Sequence, residues 1–318
     1  MSTVFIDRKD IEIRVDGNSI SFYAKGKKDG SLPLSPLKRV VIVGNVKIET
    51  SVLYKLVNHG ITVLFLTGKL KYSGILNGPL HNNGLLRVKQ YQKSLSGFSL
   101  KFAKELIKRK IVSQRDFLSE IREIKKALAM QADRAIEILN KAISNIEVTP
   151  ISIDSLRGIE GAASSIYFIT YSKIFPNSLK FVRRIKRPPK DPVNAMLSLC
   201  YTLLHYEIVR EIQLIGLDPT IGFYHQFEYG RESLACDLVE LFRVNVDRFV
   251  YELFKAKHLG NRDFMKDEES GGVYLKKTGR KKFYPLYEQW VQQQRTIWRG
   301  EVQGFARRIL EEKDIISG

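Results

Sequence analysis

Residues 77–84, Asn-Gly-Pro-Leu-His-Asn-Asn-Gly, divide the chain into two unlike halves. Two glycines, one proline and three asparagines in eight residues are linker chemistry: glycine and asparagine accept left-handed backbone, and proline fixes φ. Before this stretch, β-branched and aromatic residues gather in short runs at Val4–Ile6, Ile11–Val15, Ser19–Ala24 and Arg39–Val43. Turn chemistry at Asp16–Asn18, Gly26–Gly30 and a Pro33/Pro36 segment separates those runs. Glu49–Asn58, with Val52, Leu53, Leu56 and Val57 apolar and Gly60 behind it, predicts one short helix. Ile61–Leu66 reads as a buried strand, and another strand is expected near Tyr72–Leu76.

After the linker the apolar spacing becomes three and four, the period of a helix. Helical segments are expected over Leu85–Ser94, Phe98–Lys110 and Arg115–Ile143, with Pro150 closing the block. Asp154-Ser155 is expected to cap a helix running through Glu160 to about Tyr171. Asp191-Pro192 is an N-cap and first-turn pair for a helix from Val193 to about Ile215, stopped by Gly216. The helix bearing Asp237 and Glu240 is expected to continue past Phe249 towards Lys257. Residues 266–282 read as an exposed hairpin or mobile loop, and Tyr287 to about Lys313 as a closing helix. The expected class is α+β: a small N-terminal β-rich domain, residues 1–80, then a larger all-α domain, residues 81–318.

Composition narrows the function. Lys and Arg number 52 against 34 Asp and Glu, a net charge of +18. That excess suits a polyanionic partner, nucleic acid ahead of an anionic membrane; the plainer alternative is a solvated basic surface. The two cysteines, Cys200 and Cys236, exclude a disulfide framework and have no zinc-knuckle spacing. No apolar run approaches the roughly 18 residues of a membrane span, and the start of the chain lacks a signal-type apolar core. A cytoplasmic protein with no membrane partner is expected. The G-x-x-x-x-G-K phosphate loop and the G-x-S-x-G elbow are absent.

The chemistry concentrates in residues 221–243, IGFYHQFEYGRESLACDLVELFR. Asp237 and Glu240 lie three apart, on one face of a helix. His225 can meet them only if the chain doubles back near Gly230-Arg231, because twelve helical residues would span about 18 Å. Acids early in a helix also suit its dipole, and a lone histidine also serves as a hydrogen-bonded structural residue. Yet Leu234, Leu238, Leu241 and Phe242 surround the acids, and a carboxylate at the edge of a core needs a partner. Glu160 is the second candidate. It sits in GIEGAASSIYF, residues 158–168, whose small residues are expected to let another helix come close and bring Glu160 against Asp237 and Glu240. The alternative for Glu160 is an ion pair with Arg157 or an exposed charge.

One imidazole with carboxylates suits Mg²⁺ or Mn²⁺, which would polarise a phosphodiester. Arg183, Arg184, Lys186 and Arg187 in the basic loop 181–190 are candidate phosphate contacts. Arg231 and, in the run KKTGRKK at 276–282, Lys276, Lys277 and Arg280 are further candidates. Tyr167, Tyr224 and Tyr229 are candidates either for base stacking or for packing.

Taken together, GIEGAA with Glu160, RPPKDPVNAMLSLCYTLL at 187–204, GFYH with His225 and GRESLACDLVELFR resemble the CRISPR-associated endonuclease/integrase family of spacer acquisition. SLPL at 31–34, VVIVGNVKIE and HGITVLFLTG resemble that family's N-terminal β-domain. The chain departs from the family at Gln226–Tyr229, where relatives often carry proline or basic residues. The resemblance implies a dimerising β-domain, a helical catalytic domain, a homodimer and a small ferredoxin-like CRISPR-associated partner protein. It implies a metal held by Glu160, His225 and Glu240, with Asp237 as a supporting acid. The implied reaction is metal-dependent cleavage of DNA and insertion of short fragments into a CRISPR array by 3′-hydroxyl attack, in antiviral defence. Two alternatives stand beside it: a non-catalytic basic nucleic-acid scaffold and a stand-alone nuclease for branched DNA.

Overall fold

Arg39–Val43 is buried along its whole length and lies between two other strands of a sheet. The computed structural model describes residues 3–79, 81, 83–148, 151–225 and 228–312. Within them the chain separates into two units, Met1–Asn82 and Asn83–Gly318.

The first unit holds β1 (Thr3–Ile6), β2 (Ile11–Asp16), β3 (Ser19–Ala24), β4 (Lys27–Pro33), β5 (Arg39–Val43), β6 (Lys47–Ile48), α1 (Thr50–Asn58), β7 (Thr62–Leu66) and β8 (Tyr72–Leu76). They form two four-stranded sheets, ordered β1-β5-β7-β8 and β4-β3-β2-β6. β5 runs parallel to β1 and β7, with Val40 opposite Val4 and Val63. β5 and β7, in the parallel part of their sheet, are buried along nearly their whole length and read as apolar runs. β2 instead alternates, with Ile11 and Ile13 inward and Arg14 outward. Ile13, Ile20, Val40, Val52, Leu56, Ile61 and Val63 make the core of this unit.

β4 was not foreseen. Its residues, Lys-Lys-Asp-Gly-Ser-Leu-Pro, are almost all exposed, and the sequence reads them as turn. They form an edge strand paired only to β3, where lysine and proline are tolerated and discourage further pairing.

The second unit holds α2 (Gly84–Ser94), α3 (Phe98–Ile124), α4 (Ala129–Val148), α5 (Ile153–Ser172), α6 (Pro192–Ile215), α7 (Ser233–Glu240), α8 (Arg243–Lys255), a hairpin of β9 (Phe264–Lys266) and β10 (Val273–Leu275), and α9 (Lys277–Glu311). The expected β-rich half followed by a mostly helical half is what the structure shows, with the hairpin as the one small sheet described in the helical half. α6 follows its signals: Asp191 accepts from the Asn194 amide at 2.8 Å, and Gly216 closes the helix at φ +95°.

Several boundaries differ from expectation. α3 runs unbroken through residues 110–115, and the break falls at Lys125. The cap of α5 is Ser152, not Asp154-Ser155; its hydroxyl accepts from the Ser155 amide at 3.2 Å, while Asp154 pairs with Arg157. The helix bearing Asp237 and Glu240 stops at Glu240, and a second begins at Arg243. No glycine or proline marks that break; Phe242 turns in against Trp298, with ring centroids 6.2 Å apart. Residues 276–282 are not loop: α9 starts at Lys277 and passes Pro285, its first turns held by the buried rings of Phe283 and Tyr287. Gly279 leaves no room for a side chain, since a Cβ would lie 2.7 Å from Leu275 Cδ1 and 2.8 Å from the Asp263 carbonyl oxygen. The expected stop at Pro150, the divergent Gln226 and the end at Lys313 lie outside the described residues.

Candidate metal and nucleic-acid site

Asp237 organises the doubling-back. Its side chain is fully buried, and Oδ2 accepts from the amides of Phe223 at 2.6 Å and Tyr224 at 3.1 Å. Oδ1 accepts from the His225 amide at 2.9 Å and lies 2.7 Å from His225 Nδ1. One carboxylate therefore ties the segment 223–225 to α7, and satisfying it this way removes the penalty of burying a charge. Gly222 allows the approach: a Cβ there would stand 2.8 Å from Ser233 and 3.0 Å from Asp237 Oδ2. Gly230 supplies a left-handed residue at φ +71° on the way.

Glu240, at the end of α7, faces two cations. Arg243 Nε donates to Oε1 at 2.8 Å, and the Lys110 ammonium lies 2.6 Å from Oε2. Burial pushes the Glu240 carboxyl up, but Arg243 and Lys110 outweigh it and hold its pKa at about 2, with His225 contributing in the same direction. Lys110 also contacts Glu160 Oε1, to which Ser164 Oγ donates at 2.9 Å. α3 packs against both α5 and α7 and so links the two glutamates through Lys110. Of the small residues of α5 expected to admit another helix, Ala163 is buried, but the two glycines make no such contact. Gly158 and Gly161 face open space, and Glu160 is met by a lysine of α3, not by Arg157.

A further layer supports Arg243. Its guanidinium lies 4.7 Å from the Tyr201 ring centre and that of Arg184 5.5 Å from it. The Tyr201 hydroxyl donates to Asp247 Oδ1, and Tyr167 donates to Oδ2 at 2.8 Å. Tyr171 donates to the Asp247 carbonyl at 2.8 Å. Burial pushes the Asp247 carboxyl up to about 6 despite those hydroxyls. Tyr167 is thus a packing residue. Tyr224, buried beside Glu160 and Glu240, has its hydroxyl pKa raised by burial and by those two carboxylates, while Tyr229 is exposed.

The basic candidates divide. Arg183, Lys186, Arg187 and Lys277 are exposed. Loss of water, with Arg243 second, lowers the Lys186 ammonium pKa, and Glu240 opposes that shift. Arg184 instead turns inward, donating to the Ile185 carbonyl at 2.8 Å, Asn194 at 2.9 Å and Ser198 at 3.0 Å. Arg231 pairs with Glu228 at 2.9 Å, Lys276 donates to the Arg262 carbonyl at 3.1 Å, and Arg280 is half-buried.

The donor types suit a divalent cation: carboxylate oxygens of Glu160 and Glu240, and an imidazole whose Nδ1 is taken by Asp237, leaving Nε2 as the ligating nitrogen. Buried Glu240 Oε2 accepts no hydrogen bond of good geometry, although Lys110 stands beside it. Among the described residues no three of His, Cys, Asp and Glu converge as closely as a bound ion requires, and a lysine ammonium stands between the two glutamates. Sequence reasoning missed Lys110, Arg243 and the Asp247 network. The signal for Lys110 was its place on the apolar stripe of α3, among Leu106, Ile107, Ile111, Phe117 and Leu118. Among the described residues no helix is long and apolar enough to cross a membrane.

Comparison with known proteins follows the same lines. The profile of the family "CRISPR associated protein Cas1" matches residues 4–289. The "CRISPR-associated endonuclease Cas1 2" of Rhodospirillum rubrum is 32% identical over 310 residues, covering 93% of this chain and 88% of its own. A Cas1 protein of Thermotoga maritima shares the fold with a TM-score of 0.84 at 24% identity, over 100% of both chains. A casposase bound to integration product does so with a TM-score of 0.83 at 22% identity, over 98% of this chain and 92% of that one.

Proposed function

Because the chain belongs to the CRISPR associated protein Cas1 family, we propose that it is a divalent-metal-dependent DNA endonuclease and integrase of spacer acquisition. The observation that supports this reading is that Lys110 joins Glu160 to Glu240, while Asp237, on the same helix as Glu240, holds His225. Glu160, Glu240 and His225 Nε2 would hold Mg²⁺ or Mn²⁺. The ion would supply Lewis acidity at a phosphodiester and lower the pKa of an attacking hydroxyl.

The chain's own groups have separate tasks. Asp237 orients the imidazole and keeps the proton on Nδ1. Arg243 and Lys186 place positive charge where phosphate oxygens gather negative charge. Arg183, Arg187 and Lys277 track the DNA backbone. In strand transfer a 3′-oxygen of the incoming fragment bonds to a target phosphorus as the target's own 3′-oxygen leaves. One phosphodiester forms for each broken, so no nucleotide is consumed. The reading includes a homodimer formed through the β-domain, a small ferredoxin-like partner, double-stranded DNA of spacer and repeat, and action in the cytoplasm.

The test is product mapping on a repeat-containing duplex supplied with a short duplex fragment. Joined products that vanish in chelator and return with Mn²⁺ or Mg²⁺ are expected, and Glu160→Ala, His225→Ala and Glu240→Ala should each abolish them while DNA is still bound. Cleavage without joining would favour a branched-DNA nuclease. Salt-sensitive binding without metal-dependent products would favour a scaffold.

A further inference from the structure

Lys110 occupies a core position of α3. Its neighbours on that face, Leu106, Ile107, Ile111 and Leu118, are buried hydrophobics, and its own side chain is only 7% exposed. An ammonium there must be paired, and it is paired twice, with Glu160 and with Glu240. Those are the two carboxylates assigned above to the metal. Mg²⁺ takes carboxylate oxygens at about 2.0–2.1 Å. With Nζ 2.6 Å from Glu240 Oε2 and in contact with Glu160 Oε1, ion and ammonium would compete for the same oxygens. Charge gives the same answer. Lys110 and Arg243 already balance Glu160 and Glu240, so a dication added with the lysine in place would leave uncompensated positive charge in a buried site.

We propose that Lys110 is a built-in counter-ion, standing between Glu160 and Glu240 where the metal would bind and withdrawing when the metal loads. The proposal rests on the metal-site reading above. While the lysine is seated the site is closed to metal, and the apparent affinity falls by the fraction of molecules in which the lysine is withdrawn. A withdrawn ammonium needs another anion, and a DNA phosphate is the one the proposed reaction brings. DNA and metal would therefore strengthen each other's binding, reciprocally. The lysine thus keeps the nuclease centre unloaded until DNA arrives.

The experiment measures Mn²⁺ binding to the full chain by electron paramagnetic resonance, with and without a duplex. Lys110→Gln should bind Mn²⁺ about tenfold more tightly than wild type in the absence of DNA, if roughly a tenth of wild-type molecules have the lysine withdrawn. Lys110→Arg should stay as weak as wild type. Duplex should tighten Mn²⁺ binding to wild type and leave Lys110→Gln unchanged. Equal or weaker binding by Lys110→Gln overturns the proposal. Wild type supplies a second readout that needs no variant: acylation of Lys110 by an amine reagent, mapped by mass spectrometry. Reactivity should be low in chelator and rise when Mn²⁺ saturates; unchanged reactivity with Mn²⁺ bound overturns it. Glu160→Gln and Glu240→Gln, each added to Lys110→Gln, separate the two readings. Undiminished Mn²⁺ binding there means the metal site itself is misassigned, and the lysine proposal falls with it.

Discussion

His225 and Asp237 hold each other across the Gly230 turn, the imidazole Nδ1 lying 2.7 Å from the carboxylate Oδ1 of a residue twelve positions later. Oδ1 also accepts the His225 amide, so ring and backbone are fixed by one atom. With Nδ1 donating, the lone pair falls on Nε2, the nitrogen assigned to the metal. Asp237→Asn is expected to weaken Mn²⁺ binding and strand transfer by about 10- to 100-fold, the usual effect of losing a carboxylate behind a ligating histidine. Calorimetric titration with Mn²⁺ checks this; a change of less than twofold would show that the ring does not depend on Asp237.

The two glutamates should differ in what they do for stability. Glu240→Ala breaks the buried Lys110–Glu240 pair and leaves half-buried Arg243 without its carboxylate, and should cost about 3–5 kcal/mol, as when one partner of a buried pair is removed. Glu160 is 23% exposed, and its loss leaves Lys110 paired with Glu240, so Glu160→Ala should cost about 1 kcal/mol or less. Urea unfolding compares them. Equal losses would contradict the placement of Lys110 between them.

Asp247 and Glu240 should bend the pH–stability curve in opposite senses. Asp247 has a folded pKa raised from 3.8 to about 6, so its contribution is fully present below pH 3.8 and is lost as pH rises through about 6. The fall is at most about 3 kcal/mol, at 1.36 kcal/mol per pH unit. Glu240, depressed from 4.5 to about 2, contributes fully above pH 4.5 and loses that contribution as pH falls through about 2. Denaturation of wild type and Asp247→Asn at several pH values should show the wild-type advantage shrinking between pH 4 and 6. A constant difference would mean Asp247 stays ionised throughout.

Gly222→Ala should disturb the site without touching a charged group. Its Cβ would meet Ser233 at 2.8 Å, and the segment carrying His225 must move to relieve that contact. A loss of about 1–3 kcal/mol is expected, as for overpacking in a close-packed interior. Thermal unfolding measures the loss, and metal titration should show weaker binding in the same variant. Unchanged affinity would mean the segment absorbs the methyl elsewhere.

Within the basic loop, Arg183→Ala with Arg187→Ala should lower the slope of log affinity against log salt by about 2, since each phosphate contact contributes about 0.9. Arg184→Ala should leave the slope intact and lower stability instead, because that guanidinium bonds Asn194 and Ser198 inside the fold. DNA-binding isotherms at several salt concentrations separate the two. A slope change in Arg184→Ala alone would reverse the assignment.

The β-rich half followed by a helical one, and Asp191 and Gly216 as the ends of α6, were legible because each rests on local rules of period and capping. β4 was not, because an exposed edge strand carries the same residues as a turn. Nor was the break after Glu240, which tertiary packing of Phe242 on Trp298 makes without any breaker residue. Residues 276–282 misled in the other direction: they read as loop, although a helix held by the buried rings of Phe283 and Tyr287 already begins at Lys277.

For the candidate site, the sequence alone supplied the acids and the histidine as candidates, and the condition that a turn must return His225 if it is to meet them. It could not determine pairing. Periodicity locates Lys110 on the buried stripe of α3 but says nothing of what lies opposite. Only the packing of α3 against α5 and α7 set its ammonium between Glu160 and Glu240 and turned Asp237 to the His225 loop. Burial makes those choices, because a charge removed from water is stable only beside the partner that the tertiary fold provides.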